Sequence, residues 1–406
     1  MNQMKKITNN LLTTVGILSI SFITTSTYAI NGTLPLIRAE LKLTQPQVET
    51  LVTIPSFALA LLVLFSSPLC KWIGERATVN TGLTIIGLAG IIPAFTKNYL
   101  LILAARVLLG AGIGMINSLA VSLISAYFKD QKAAALLGFR ASIEQIGQAI
   151  LTFAAGLLMS FSWQTPFLVY LVALPILFLF NFFVPKEHAV KEIKPDYDGG
   201  SRIDPHNKIT KISPLVWLLA ALMALLVADY IGMQVRFAQM ATNIIGKDYN
   251  ASPIMSAMLI VAMLGGMFFG RFYSWMRFKL IYFALILFAI SNFIVTNAHH
   301  NLISLIFGFL LIGFPLQLIS PLAFHLLPNL APSDKQTFVT SVILIGFNIG
   351  VFIEPYLFIL LDKFLGIGNQ LSAVFYYFGW ACLLIALLIA LVRLAKRHPK
   401  DPEKHA

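Results

Sequence analysis

The stretch LLGFRASIEQIGQAI, residues 136 to 150, places Arg140 and Glu144 one helical turn apart inside a long apolar segment. A carboxyl group there can bind and release a proton, because burial favours its neutral form whereas a nearby arginine favours its charged form. The i, i+4 spacing puts both side chains on one helix face, in the less favourable charge order. The two residues are therefore candidates for a proton-coupling site, with a permanent ion pair that only fixes packing as the alternative.

Arg106 is a second basic residue inside an apolar segment, in ARVLLGAGIG at residues 105 to 114. A charge at the centre of a bilayer costs about 2.5 to 3.5 kcal/mol on insertion scales, so Arg106 needs a partner or a water-filled cavity. From helix rise and bilayer thickness, Arg106 and Glu144 lie roughly 12 and 14 Å from the same membrane surface. We therefore expect an interhelical pair of Arg106 and Glu144, with the local pair of Arg140 and Glu144 as the alternative.

The stretch LLVADYIGMQVRFAQ, residues 225 to 239, carries Asp229 and Arg236 on one helix face. Arg236 lies near a helix end, where its long side chain can extend to water. Glu354 precedes Pro355 in a later apolar segment, towards the same side of the membrane. A gating or packing pair of Arg236 and Glu354 is as well supported as a substrate contact by Glu354.

These charged residues must be positioned by helices that cross a membrane. The chain has 406 residues, of which 58% are hydrophobic and 11% are charged, whereas soluble domains carry about 25% charged residues. Apolar runs of about 20 residues, long enough to cross a bilayer as helix, recur along the whole chain. The first run contains STYA and resembles a cleaved secretory signal, but the many later runs favour an uncleaved helix. We predict twelve spans, at 11–36, 47–70, 78–97, 99–127, 133–160, 164–184, 214–240, 251–270, 280–297, 301–327, 336–361 and 370–392.

The Lys and Arg residues between these spans predict the topology. The termini and alternate loops hold 21 of them, and the opposite loops hold five. Because cytoplasmic loops carry the excess of Lys and Arg, both termini are expected in the cytoplasm of a protein that spans the cell membrane. The net charge of +12 then reflects topology and attraction to anionic lipid, and nucleic-acid binding has no support.

A polar segment at 185–213 divides the spans into two sets of six. We predict a first six-helix bundle at 1–184, a cytoplasmic linker at 185–213, a second bundle at 214–394 and a cytoplasmic tail at 395–406. One offset of 203 residues relates three pairs: Trp72 and Trp275, Gly110 and Gly313, and Gly147 and Gly350. A shared offset indicates an internal duplication.

Two parallel six-helix halves are the arrangement of major facilitator transporters, and the chain resembles this superfamily along nearly its whole length. SPLCKWIGER, residues 67 to 76, resembles the family's loop motif after the second helix. Leu69, Gly74 and Arg76 keep the pattern, whereas Lys71 stands in place of an acid that helps to lock one conformation. The resemblance implies gating roles for Lys71, Gly74 and Arg76, with a lock that differs from the family's.

The fourth and fifth helices carry further resemblances. Arg106 matches the intramembrane arginine of the family's fourth-helix motif, which is often linked to proton coupling. Gly147 and Gly156 are spaced as in the fifth-helix antiporter motif, but the later Gly-Pro of that motif would fall on Ser160 and Phe161. The export signature is thus incomplete.

Helices 1, 4, 7 and 10 line a central cavity in this family. The resemblance therefore implies candidates for substrate contact on such helices, to which we add one residue of the eleventh helix, although neutral polar groups more often bond to neighbouring helices. The candidates are Tyr28, Asn31, Asp229, Tyr230, Gln234, Gln317 and Asn348.

The expected protein is an all-α secondary active transporter with twelve helices in two six-helix bundles, working by alternating access. We expect proton-coupled export of a small organic, amphipathic or drug-like solute, with proton-coupled uptake of an organic anion as the close alternative. A non-transporting sensor or scaffold on the same fold is an alternative of another class. An enzyme is disfavoured because no dense cluster of reactive residues is present.

The expected partners are the solute, protons and the lipid bilayer. The histidines lack metal-ligand neighbours and no phosphate-binding Gly-Lys-Ser/Thr loop is present, so we expect no metal, no cofactor and no ATP-driven step. We expect a monomer.

Overall fold

The computed structural model describes residues 2–128, 130–185, 212–246, 249–298, 301–326, 330–332, 335–366 and 370–397. Within these ranges the chain is helical. The helices are α1 Asn2–Ser21, α2 Leu34–Glu40, α3 Gln45–Ile73, α4 Glu75–Ile91, α5 Tyr99–Tyr127, α6 Asp130–Leu158, α7 Ala173–Phe183, α8 Leu215–Ile245, α9 Ser252–Met276, α10 Leu280–Thr296, α11 Leu302–His325, α12 Gln336–Leu365 and α13 Ala373–Arg397. Short 3₁₀ helices lie at Ser26–Tyr28, Asn31–Thr33, Ile92–Phe95, Thr165–Val172 and Arg277–Lys279. Most of the predicted linker and the end of the predicted tail lie outside the described residues.

Ten helical stretches of the described residues are long and apolar enough to cross a membrane, and a bent pair at the start of the chain makes an eleventh. One of the ten, Ser252–Thr296, has 45 residues. At 1.5 Å per residue this stretch is roughly twice the 30 Å thickness of a bilayer core, and it contains both α9 and α10. The stretches are compatible with twelve crossings and identify a multi-pass membrane protein.

The first span, predicted at 11–36, is a bent pair of helical segments and not one continuous helix. The helical pair Leu11–Ser21 and Ser26–Glu40 is bent by 47°. The intervening sequence, FITTSTYAINGT at 22–33, is rich in side chains that compete with helical hydrogen bonds. Thr24 donates to the carbonyl of Ser21 at 2.9 Å, and Thr33 donates to the carbonyl of Ile30 at 2.7 Å. We call residues 22–33 the break.

Most helix contacts fall within one half of the chain or the other. In the first half, α5 packs against α3 and α4, and α1 packs against α7. In the second half, α8 packs against α12, α11 packs against α9 and α10, and α10 packs against α13. The halves meet where α6 contacts α9 and where α3 contacts α12.

Two close helix contacts support the predicted duplication. A side chain at Gly110 of α5 would collide with the backbone of Pro55 in α3. A Cβ at Gly313 of α11 would lie 2.9 Å from the carbonyl oxygen of Met258 in α9. Gly110 and Gly313, and likewise Pro55 and Met258, are 203 residues apart. Equivalent glycines therefore permit equivalent helix approaches in the two halves, as small residues do at membrane helix interfaces.

Candidate functional site: a charged cluster and an outer gate

A cluster of four polar side chains surrounds the middle of α6. Arg140 Nη2 lies 2.6 Å from Glu144 Oε1 and donates to Asn117 Oδ1 of α5 at 2.9 Å. The hydroxyl of Thr24, in the break, donates to Glu144 Oε1 at 2.9 Å. The side chains of Arg140 and Glu144 remain 15% and 17% exposed. We call Thr24, Asn117, Arg140 and Glu144 the charged cluster. It joins three elements of the first half.

The predicted pair of Arg106 and Glu144 is wrong, because Glu144 pairs with Arg140 and Arg106 has neutral partners. Arg106 is only 1% exposed. Its Nε donates to the carbonyl of Leu51 at 2.8 Å, its Nη1 to the hydroxyl of Tyr170 at 2.6 Å, and its Nη2 to the carbonyl of Thr27 at 2.5 Å. Similar depth in the membrane was not sufficient for pairing, because depth does not fix the direction that a side chain faces.

The carbonyls of Thr27 and Leu51 can accept hydrogen bonds from Arg106 because the local backbone does not use them in regular helical hydrogen bonds. Thr27 lies in the break, where regular helical hydrogen bonding stops. Leu51 lies four residues before Pro55, and proline has no N–H to donate to the carbonyl one turn earlier. Arg106 is therefore held by backbone oxygens that the surrounding helices leave free, a common solution for a charge inside a membrane protein.

Two of the predicted substrate contacts on α8, Asp229 and Tyr230, are engaged with neighbouring helices. Asp229 is fully buried and accepts a hydrogen bond of 2.6 Å from Asn292 of α10. The hydroxyl of Tyr230 lies 3.6 Å from the sulfur of Met258 in α9. Gln234 is buried in α8. A substrate role for these residues stays a prediction.

The other predicted substrate contacts lie at separate places. The hydroxyl of Tyr28 lies 3.1 Å from that of Ser56, and Gln317 lies beside Gly265. Asn348 donates to the carbonyl of Leu344 in its own helix at 2.9 Å. Asn31 is fully buried, and neither its side-chain oxygen nor its nitrogen has a hydrogen-bond partner among the described residues.

Arg236 joins the two halves through an ion pair. Its Nε lies 2.7 Å from Oε1 of Glu49 in α3, with both side chains 3% exposed or less. Its Nη2 lies 3.9 Å from Oδ2 of Asp362, and its guanidinium carbon lies 4.4 Å from the centre of the Phe358 ring. The predicted extension of Arg236 to water is therefore wrong. In this structure Arg236 pairs with Glu49 and lies near Asp362, and a gating or packing pair with Glu354 stays a prediction. Glu49 was overlooked although it lies within the predicted span 47–70, so that span carries a fourth intramembrane carboxylate.

Further contacts between the halves lie at the same end of the bundle. Asn250 donates to the carbonyl of Gly156 at 2.9 Å, and Ser256 donates to the carbonyl of Ala149 at 2.9 Å. We call the end where α3 begins and α8 ends the outer end, because the Lys/Arg distribution predicts it to face outwards. We call the contacts made there by Glu49, Arg236, Asn250 and Ser256 the outer gate. They hold the two halves together at that end.

Arg76, in the loop motif, contacts the end of α7. It donates to the carbonyl of Asn181 at 2.5 Å and to the carbonyl of Val184 at 2.8 Å. A cation at a helix C-terminus is favoured by the helix dipole. Gly74 has φ of 84°, which favours glycine. These contacts of Arg76 lie within the first half, and the side chain of Lys71 lies outside what the structure describes. The gating roles therefore stay predictions.

Two membrane-spanning helical halves that contact each other at one end, with charged side chains between their helices, are an arrangement typical of secondary transporters. A family model described as the Major Facilitator Superfamily matches residues 16–281 and 230–406. The chain therefore belongs to the Major Facilitator Superfamily, as its loop and fourth-helix motifs predicted.

Solved structures show the same fold. The inward open conformation of the xylose transporter XylE from E. coli is similar, with a TM-score of 0.69 and 14% identity over 94% of this chain and 95% of that chain. A bacterial homolog to the human lysosomal transporter Spinster, in an inward-facing and unoccupied conformation, has a TM-score of 0.65 and 14% identity, over 95% of this chain and 94% of that chain. At this identity the likeness concerns the fold alone.

A curated relative gives a more specific similarity. The bacillibactin exporter of Bacillus subtilis (strain 168) is 29% identical over 141 residues, which are 33% of this chain and 35% of that protein. The match thus spans about a third of the length of that relative.

Proposed function

We propose that this transporter exports a small amphipathic organic solute across the cytoplasmic membrane in exchange for protons, with both termini in the cytoplasm. The observation that carries the proposal is the ion pair of Arg140 and Glu144 in the charged cluster. An ion pair that is partly exposed in the middle of a membrane-spanning helix requires access to water rather than to lipid tails. It is thus suited to exchange protons with a water-filled path.

Glu144 has the partners that a proton-exchanging carboxylate needs. When Glu144 is ionised, Arg140 and the hydroxyl of Thr24 stabilise its charge. When Glu144 is protonated, Arg140 keeps Asn117 as an acceptor. Because Thr24 belongs to the break and Asn117 to α5, a change in charge at Glu144 alters contacts between three elements. This is the kind of local event that can bias a two-state transporter.

The lining of the contact between α3 and α12 supports an amphipathic solute. The rings of Phe57 and Phe352 lie 4.8 Å apart across the two halves, and Tyr356 lies 5.8 Å from Phe352. Phe57 and Tyr356 remain substantially exposed. Aromatic side chains that are not fully covered suit an organic solute with apolar surface.

Export is favoured over uptake of an organic anion because the intramembrane arginines already have partners within the protein. Arg140 is neutralised by Glu144, and each of the three nitrogens of Arg106 already donates to the protein itself. Arg236 is paired with Glu49. The intramembrane arginines are thus committed to internal partners. The similarity to the bacillibactin exporter points in the same direction.

The proposal is tested by reconstitution into lipid vesicles that contain a fluorescent pH indicator. The vesicles receive an acidic interior, and bacillibactin, lipophilic organic cations and amphipathic organic acids are added outside one at a time. We expect at least one compound to enter while the interior becomes more alkaline, faster than in protein-free vesicles. Entry without a pH change would contradict proton exchange. No movement of any compound would favour a sensor or scaffold on the same fold.

A further inference from the structure

Glu354 of α12 is a buried carboxyl group that lies outside the charged cluster and has no part in the proton exchange proposed for Glu144. It is fully buried, and neither Oε1 nor Oε2 has a hydrogen-bond partner among the described residues. An ionised carboxylate that is removed from water and lacks donors is very costly, so such a group is neutral or acquires a cation. Glu354 therefore differs from Glu144 and Asp229, each of which has a donor.

Glu354 lies directly beneath the outer gate. A Cβ at Gly232 of α8 would lie 3.0 Å from Glu354 Oε1, and Arg236 follows one helical turn later on the same helix. Phe358, one turn after Glu354 on α12, lies under the guanidinium of Arg236 at 4.4 Å. Arg236 and Glu354 are thus on facing surfaces of α8 and α12, one turn apart, with Phe358 between their levels.

The groups that face Glu354 come from each helix packed against α12. From α8 the charged group is Arg236, and from α3 it is Glu49; both act on Glu354 electrostatically. Asp362 lies two turns further along α12 and is partly exposed. From α13, Phe375 and Phe378 pack on Phe358. One arginine is therefore shared by two deeply buried carboxyl groups, Glu49 and Glu354.

Charge balance then links the gate to the proton on Glu354. With Glu354 neutral, the buried pair of Arg236 and Glu49 has no net charge. With Glu354 ionised, two buried negative charges compete for one guanidinium, and like charges that share a site oppose each other. Movement of Arg236 by one turn towards Glu354 would satisfy the new charge and leave Glu49 unpaired. Glu49 is held by Gln45 at 2.9 Å, at the end of α3 nearest to water.

We propose that Glu354 is the proton-binding group of the outer gate. Glu354 carries a proton while Arg236 is bound to Glu49. Release of that proton to water frees Arg236 from Glu49 and opens the outer end. The physiological use of this device rests on the proposed proton exchange, although the response of the gate to pH needs no solute. Proton binding from outside then closes the outer end, as a transporter that exports in exchange for protons requires.

The experiment measures the distance across the outer end as a function of pH. Cys70→Ser and Cys382→Ala give a chain without native thiols, and Lys97→Cys and Lys363→Cys place one spin label on each half. Lys97 and Lys363 have exposed side chains near the outer end. The distribution of distances between the two spin labels is measured by double electron–electron resonance in lipid nanodiscs. The pH is varied from about 5 to about 9, a range in which buried carboxyl groups titrate. No solute is added.

We expect the population with the longer distance to grow as pH rises, and Glu354→Gln to keep the shorter distance at every pH. Glu354→Asp keeps the carboxyl group and is expected to keep a pH response. Glu75→Gln removes a half-buried carboxylate of α4 in the first half, away from the gate, and is expected to leave the pH response in place. Size-exclusion profiles of all variants establish that they are folded.

Two results would overturn the proposal: a distance distribution that does not change with pH in the labelled parent, or a Glu354→Gln variant with the parent's pH response. The proposed function fails separately. Vesicles that show no solute movement, together with a gate that responds to pH, would remove the transport proposal and keep the gate. Vesicles that exchange solute for protons, with a gate indifferent to pH, would do the reverse.

Discussion

Arg106 donates a hydrogen bond of 2.8 Å to the carbonyl oxygen of Leu51, which Pro55 leaves without a partner inside its own helix. The same guanidinium reaches Thr27 in the break and Tyr170 near α7. One side chain on α5 thereby connects three other elements of the first half. Arg106, the arginine of the fourth-helix motif, therefore has a structural role in linking these elements. The partly exposed ion pair, Arg140 and Glu144, lies on α6.

Replacement of Arg106 should therefore destabilise the fold. Arg106→Ala leaves the two buried carbonyls of Thr27 and Leu51 without donors, and each unsatisfied group costs about 1 to 3 kcal/mol. The hydroxyl of Tyr170 keeps its hydrogen bond to the carbonyl of Ser26. Arg106→Lys should be intermediate, because one ammonium cannot match the fork of a guanidinium. Thermal denaturation in detergent measures both. Arg271→Ala, at an exposed position of α9, is the control and should leave the midpoint of thermal denaturation unchanged. Equal midpoints for all three variants would contradict the structural role of Arg106.

The paired glycines give a second prediction. Gly110→Ala and Gly313→Ala each force two helices apart, and overpacking of this kind costs about 1 to 3 kcal/mol. Gly266→Ala in α9 is the control, because a Cβ there meets nothing within 4 Å. That control should be neutral or slightly stabilising, since alanine favours a helix over glycine. The same thermal denaturation assay applies, and a Gly110→Ala variant as stable as Gly266→Ala would argue against close packing of α5 on α3.

A third prediction concerns the charged cluster. Glu144→Gln keeps the shape of the side chain and removes its titration, so fewer protons should move for each solute that crosses in the vesicle assay. The measurement compares solute flux with the internal pH signal in the same preparation. Glu75→Gln, a half-buried carboxylate in the first turn of α4, should keep both signals. Unchanged proton movement in Glu144→Gln would place the coupling group elsewhere.

The outer gate gives a fourth prediction. Glu49→Gln removes the charge that holds Arg236, and loss of one partner of a buried charge pair costs about 2 to 5 kcal/mol. The outer end should open more often. A cysteine at the buried position Ser256, in the chain without native thiols, should react at least about tenfold faster with a membrane-impermeant maleimide added outside. Glu40→Gln, at an exposed position of the same end, should not change the rate; an equal rate in Glu49→Gln would mean that other contacts close the gate.

The sequence predicted the class of fold well, because its main signals are physical constraints of the bilayer. Apolar length indicated the membrane helices, and the 203-residue offset indicated corresponding contacts such as Gly110 with Pro55 and Gly313 with Met258. The family resemblance is confirmed by the match along the chain. The boundaries of the two bundles stay predictions.

The partners of the charges were harder to predict. Depth along a helix places Arg106 and Glu144 at one level but does not say which neighbour each side chain faces. Two local signals were present in the sequence: Pro55 four residues after Leu51, and the Ser, Thr, Asn and Gly residues of the break, both of which indicate free carbonyls. The sequence did not indicate a role for Glu49, because Glu49 lies at the edge of its predicted span and charged residues are common near the ends of membrane helices.

The order in which the chain is made adds a consequence of the partners of Arg106. Thr27 and Leu51 precede Arg106 in the sequence, and Tyr170 follows it. During synthesis, the helix that carries this charge therefore reaches the membrane after two of its three acceptors are already present. The charge need not wait in lipid for the second half of the protein, and the first half can assemble around it before the linker has been translated.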